Sequence, residues 1–174
     1  MKKIIAALSI VMLTISTTSM AQPKTVTLKF IETSDVHGCF FPYNFTTGKE
    51  MRGSLARVST YVKELRKEYG DNLILLDNGD ILQGQPISYF YNYVNTDEEN
   101  IAASVINYMK YDTVTIGNHD IETGHSVYDK WIKEVKCPVI AANIVCFDTL
   151  KQQAIPYTSS ESNNTRRCYT QPYT

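Results

Sequence analysis

The chain has 174 residues, with 17 basic and 18 acidic side chains and a formal net charge of −1. Neither sign gathers into a stripe, which argues against a charged face for a nucleic-acid polymer. The length suffices for one domain with a real core.

Met1–Ala21 reads as a secretory signal peptide: Lys2 and Lys3, an apolar run over Ile4–Ile15, then Ser19-Met20-Ala21 before a cut at Gln22. The apolar run is shorter than the ~20 residues a bilayer needs. No cysteine follows the cut to carry a lipid, so no stable membrane anchor is expected. The product is expected in the periplasm or outside the cell. Export permits disulfides among Cys39, Cys137, Cys146 and Cys168, and three full pairings stay open. No C-x-x-C spacing suggests a structural zinc site.

Thr25–Ile31 alternates and is β-branched, a first strand that runs into Asp35-Val36-His37-Gly38. Asp35 and His37 are two apart, so an extended chain points both to one side as half of a divalent-metal site. Phe40, Phe41, Tyr43 and Phe45 crowd the following loop, as a pocket wall or a small satellite core. Ser54–Tyr69 carries an apolar stripe of Leu55, Val58, Val62, Leu65 and Tyr69, with Ser54 to cap it and Gly70 after it.

Asn72–Leu76 is a continuous apolar run, as buried parallel strands have. It ends in Asp77-Asn78-Gly79-Asp80, where Asp77 suits a hydrogen-bonding turn and Asp80 a metal ligand. Pro86 starts a short aromatic helix over 87–93, and Asp97 is expected to cap Glu98–Met109, with Ile101, Val105 and Met109 buried. Tyr111–Thr115 is a third strand, followed by Ile116-Gly117-Asn118-His119-Asp120 and one helix over Ile121–Val135 with the stripe Val127, Trp131, Val135. His125 belongs to its surface. Pro138–Val145 is a further strand. Strand–helix alternation implies an α/β fold: a layered, mostly parallel sheet with flanking helices. Residues 22–150 form the expected domain. Residues 151–174, polar from Ser159 onward, read as a disordered or frameshifted tail.

Three strand ends thus offer Asp35 with His37, then Asp80, then Asn118 with His119. Hard oxygens mixed with imidazole suit Mn, Zn, Co, Fe or Ca. The motifs D-x-H-G, G-D and G-N-H-D, in this order and each after a strand, resemble the calcineurin-like metallophosphoesterases. The run Asp77-Asn78-Gly79-Asp80-Ile81-Leu82-Gln83-Gly84, Ser54-Leu55-Ala56-Arg57 and Ala142-Asn143 are similar to the secreted 5′-nucleotidase and 2′,3′-cyclic-nucleotide phosphodiesterase/3′-nucleotidase branch. The resemblance covers residues 25–147 as the N-terminal portion of such a domain. It implies two divalent metal ions that activate water for attack on a nucleotide phosphoester. By it Asp35 and His37 hold the first metal, Asp80 bridges, and Asn118 holds the second. His119 acts on the phosphoryl group or the leaving oxygen, oriented by Glu122.

The family pattern continues into later histidines of a G-H-x-H type and into a base-stacking C-terminal domain. Here no histidine follows His125. A gene fragment or frameshifted product is therefore expected, and whether another chain supplies the missing half stays open. The alternative is a non-catalytic fragment with an incomplete metal site. A third reading, a carbohydrate- or peptide-binding module built on the Tyr/Phe loops, implies binding that chelators leave untouched.

Overall fold

The computed structural model describes residues 25–148, 153–158 and 167–170. The expected signal peptide lies outside them. Four parallel strands form the centre: β1 (Lys29–Thr33), β4 (Leu73–Asp77), β5 (Thr113–Thr115) and β6 (Val139–Asp148), in the order β1-β4-β5-β6. A two-stranded hairpin, β2 (Tyr43–Asn44) with β3 (Lys49–Glu50), stands apart. The register aligns Thr33 with Asp77 and Asp77 with Val114. The turns after β1, β4 and β5 therefore leave the sheet at one edge, where open α/β sheets place ligands.

Helices cover one face of this sheet. Helix α1 (Leu55–Tyr69) forms where the stripe predicts it, and Ser54 Oγ caps it by accepting from Arg57 N–H. Its Leu55, Val62 and Leu65 are buried against Leu73, Leu75, Val114 and Val139. Each such side chain contributes about 1.5–3 kcal/mol relative to exposure. Helix α2 (Pro86–Tyr89) opens on proline, as expected, and widens into a π-helical turn over Phe90–Val94.

Helix α3 differs from its expected form. It spans Ile101–Met109, and its cap is Asn100 rather than Asp97. Buried Asn100 accepts from the N–H groups of Ala102 and Ala103 and donates to Asn92 Oδ1 at 2.9 Å. Satisfying three partners outweighs the local preference for an earlier cap. The face so set buries Ala102, Ala103, Ile106 and Met109, with Ile101 and Val105 only half-buried.

The single helix expected over Ile121–Val135 is two: α4 (Asn118–Glu122) and α5 (His125–Glu134). Gly124 breaks it, with φ 85°, a value that other residues rarely adopt. Its N–H closes α4 on Ile121 O, and its carbonyl receives Val127 and Tyr128 at the start of α5. The stripe prediction holds, since Val127 and Trp131 are buried.

The loop after β1 also departs from expectation. Phe40 is 1% exposed and joins the main core, while Phe41, Tyr43 and Phe45 are exposed, so no satellite core forms there. Within the stretch expected to lack regular structure, β7 (Gln153–Thr158) and β8 (Arg167–Thr170) both pair antiparallel with β6. The open edge of β6 supplies the unpaired N–H and C=O groups that local polarity does not reveal. The β6–β8 register sets Cys146 opposite Cys168, and Cys39 and Cys137 are free thiols. No helix among the described residues is long and apolar enough to cross a membrane.

Candidate metal centre

Three turns at the strand ends build the site. In the first, Asp35 and His37 have φ of 54° and 48°. The chain is coiled there, so the expected convergence by extended alternation is corrected. The backbone anchors His37 at the site: its N–H donates to Asp80 O at 2.9 Å, and its carbonyl accepts from Gln85 N–H at 3.1 Å. Asp35 N–H donates to Gly79 O at 3.1 Å, while its carboxylate accepts from the Ser34 hydroxyl.

The second turn follows β4. Asp77 keeps the turn role read from the sequence. Its Oδ1 accepts from Gly79 N–H at 3.0 Å, and its Oδ2 from Thr33 Oγ1 at 2.5 Å. The Tyr111 hydroxyl meets the same Thr33 oxygen at 2.9 Å. Burial pushes the Asp77 carboxyl up to about 6, against the lowering effect of the Thr33 and Gly79 hydrogen bonds. Burial likewise pushes Tyr111 up to about 12. Asp80 has φ 59° and is 7% exposed. Its Oδ1 accepts from His119 N–H at 2.8 Å, which ties the second turn to the third.

In the third turn Gly117 precedes α4, and Asn118 and His119 are the first residues of that helix. His119 Nδ1 lies 2.8 Å from Glu122 Oε2, and Gln83 Nε2 donates to the same oxygen at 3.0 Å. The hydrogen bond that Glu122 accepts from Nδ1 raises the affinity of His119 for a proton, and the same contact lowers the Glu122 carboxyl. Both side chains are substantially exposed, so water weakens the pair.

The ligand-capable atoms of His37, Asp80 and His119 lie within 4.8 Å of one another. The two imidazoles meet edge to face, with centroids 5.3 Å apart. Asp35 is not part of this trio, and Asn118 is the residue before His119 at the start of α4. With His119 Nδ1 taken by Glu122, Nε2 is the nitrogen left to act at the centre. Two imidazoles and a carboxylate are the donor chemistry of Mn, Fe, Co or Zn.

Asp120 received no role from the sequence. It is 0% exposed, and its carboxylate accepts four backbone N–H groups, from Asp80, Ile81, Leu82 and Gly117. Its legible signal was spacing: an acid three residues after Gly117 fits the capping-box position of a helix start. Gln83 carried no comparable signal.

The family model for calcineurin-like phosphoesterase matches residues 28–167 and so includes all three turns and β7. The chain is 29% identical over 163 residues to a 2′,3′-cyclic-nucleotide 2′-phosphodiesterase/3′-nucleotidase of Haemophilus influenzae, covering 91% of this chain and 25% of that protein. It is 31% identical over 122 residues to a snake venom 5′-nucleotidase of Naja atra, covering 67% of this chain and 22% of that one. The crystal structure of the calcineurin-like phosphoesterase YfkN from Bacillus subtilis superposes with a TM-score of 0.64 at 26% identity, over 78% of this chain and 47% of that chain. The chain spans about a quarter of the length of these curated relatives. Motifs that the sequence spaces far apart meet at one edge of one sheet, and the family match runs through all of them: this chain belongs to the calcineurin-like phosphoesterases.

Proposed function

We propose that this chain carries the N-terminal part of the metal centre of a phosphoester hydrolase that acts on nucleotides, of the 5′-nucleotidase or 2′,3′-cyclic-nucleotide phosphodiesterase/3′-nucleotidase kind. The observation that carries the reading is the convergence of His37, Asp80 and His119 from three separate strand ends. Nucleotidases among the relatives support the substrate class.

Divalent cations bound here would supply Lewis acidity and an activated water. His37 and Asp80 would hold them, with Asp35 and Asn118, from the same turns, as further oxygen donors. Glu122 fixes the His119 ring through Nδ1, so Nε2 faces the phosphoryl group or the leaving oxygen and can hand it a proton. Gln83 in turn steadies Glu122.

A second reading is metal binding without turnover. The donor set among the described residues favours it, because the three ligands that converge there are fewer than two metal shells need. Calorimetric titration of the full chain with Mn2+, paired with hydrolysis of 2′,3′-cyclic AMP and 5′-AMP with and without chelator, separates the readings. Chelator-sensitive hydrolysis supports the first, and binding alone supports the second. Asp80→Asn is expected to abolish binding. Binding by that variant as tight as by the parent would remove Asp80 from the centre.

We also propose that Met1–Ala21 directs export, since Lys2, Lys3 and the apolar run match a secretory signal. Exported protein should then begin at Gln22, and a mature product beginning at Met1 rules this out.

A further inference from the structure

We infer that Asp120 is a positioning residue: its buried carboxylate fastens the turn that carries Asp80 to the turn that carries Asn118 and His119, and so sets the spacing of the metal ligands. The inference rests on the metal-centre reading above and extends it to a residue that does not face the site.

The two turns touch backbone to backbone. A Cβ at Gly117 would meet Asp80 Oδ1 at 2.1 Å and Asp80 N at 2.5 Å; one at Gly79 would meet Gly117 N at 2.3 Å. A side chain at either glycine would clash there, so the turns are fastened by bonds that reach the contact from other positions, one of them His119 N–H to Asp80 Oδ1. Asp120 reaches it from the first turn of α4. Its Oδ2 accepts from Asp80 N–H at 2.8 Å and Gly117 N–H at 2.9 Å, one from each turn. Its Oδ1 accepts from Ile81 N–H at 2.9 Å and Leu82 N–H at 2.8 Å. Among the described residues no basic side chain pairs with it, so these four N–H dipoles alone satisfy a buried charge.

The consequence falls on Asp80. With φ 59° it holds a left-handed conformation that carries a steric cost for a non-glycine residue. The clamp on its own N–H and on the next two residues offsets that cost and keeps the conformation in place. That conformation in turn lets Asp80 O receive His37 N–H and Asp80 Oδ1 receive His119 N–H. All three members of the trio are thus registered through Asp80, and Asp80 through Asp120. Partners behind a ligand of this kind are worth about 10- to 100-fold in metal affinity.

The test uses the full chain. Asp120→Asn keeps the size but turns an NH2 group toward two of the four donors. Val114→Ala, in the core of β5, serves as a variant that destabilises without touching either turn. Mn2+ affinity is measured by calorimetry, at a temperature where circular dichroism shows each variant folded. Amide exchange is read at Asp80, Ile81, Leu82 and Gly117. We expect Asp120→Asn to bind Mn2+ about 10- to 100-fold more weakly and to lose protection at those four amides. Val114→Ala should melt earlier yet keep its affinity within about twofold, since no ligand or ligand partner is altered. Asp120→Asn binding within twofold of the parent overturns the inference, as does an equal loss in Val114→Ala. If Asp120→Asn does not fold, Asp120→Glu carries the test: both oxygens sit on a longer arm, and undiminished affinity again overturns it. A parent that binds no Mn2+ overturns the metal-centre reading instead. Exchange then decides the clamp alone: released amides support it and unchanged ones refute it.

Discussion

The two faces of the central sheet are built from the same strands and meet opposite fates. Along β4, Leu73, Leu75 and Asp77 are buried beneath the helices, while Ile74 and Leu76 between them are only half-covered. Phe30, paired with Ile74 on β1, is 57% exposed, and Ile140 on β6 is 41% exposed. The buried face ends in the site: Asp77 is its last residue on β4, and the turn that follows delivers Asp80. Stability and ligand placement thus share one face, and the other contributes little to either. An unbroken apolar run such as Leu73–Leu76 suggests two covered faces. The structure covers one because helices α1, α3 and α5 all contribute to a single core.

Adjacent residues make the sharpest comparison. Leu75 is 0% exposed and Ile74, its neighbour, is half-buried on the other side. Leu75→Ala should cost about 2–5 kcal/mol, the range for a leucine removed from a packed core. Ile74→Ala should cost well under half of that in the same urea titration. Equal losses would mean that both faces are packed in solution.

The next effect concerns Asp77, a carboxylate buried on the covered face. Its folded-state value of about 6 lies above the ordinary 3.8. The fold therefore prefers the protonated form. This contribution to stability is fully present below about pH 4 and is lost as pH rises through 6, by about 3 kcal/mol in all. Burial sets it first; Thr33 and Gly79 favour the charged form, and Asp120 and Asp35 oppose it. In the metal-free chain Asp77→Asn should remove that slope and gain on the parent as pH rises from 4 to 7. Parallel stability curves for parent and variant would show that Asp77 is not strained by burial.

Much of this arrangement was legible in the sequence, for identifiable reasons. The stripe of α1 and the run of β4 follow from periodicity, and D-x-H-G, G-D and G-N-H-D fall at strand ends as read. What escaped depends on distant partners. Asn100 was not distinguishable from Asp97 as a cap, because Asn92 and the two N–H groups that select it appear only once the chain is folded. The left-handed turns at Asp35 and His37 defeat alternation, because backbone bonds to Gly79 and Asp80 set them. Asp120 drew no role from its sequence neighbours, because the four N–H groups it accepts come from two turns that meet only in the folded chain. The strands β7 and β8 depend on the edge of β6 and carry little local signal of their own.

The smallest effect is expected at Phe30, and it probes the other face most directly. Phe30 lies on β1 at the end of the sheet order, with Val26 and Leu28 exposed at 57% and 52% just before it. Alternate residues of an extended chain share a side, so the three form one apolar row. Removing an exposed ring creates no cavity and strands no polar group. Phe30→Ser should therefore change stability by no more than about 0.5 kcal/mol, the range for surface substitutions. The same change should matter more for association, because an exposed apolar row beside an edge strand invites pairing with another copy. Light scattering at rising protein concentration should accordingly fall in the variant while its melting temperature stays near the parent's. A loss at Phe30 as large as that at Leu75 would break the comparison at its root. The row would then be buried in solution, and the asymmetry between the faces would belong to the isolated chain and not to the protein at work.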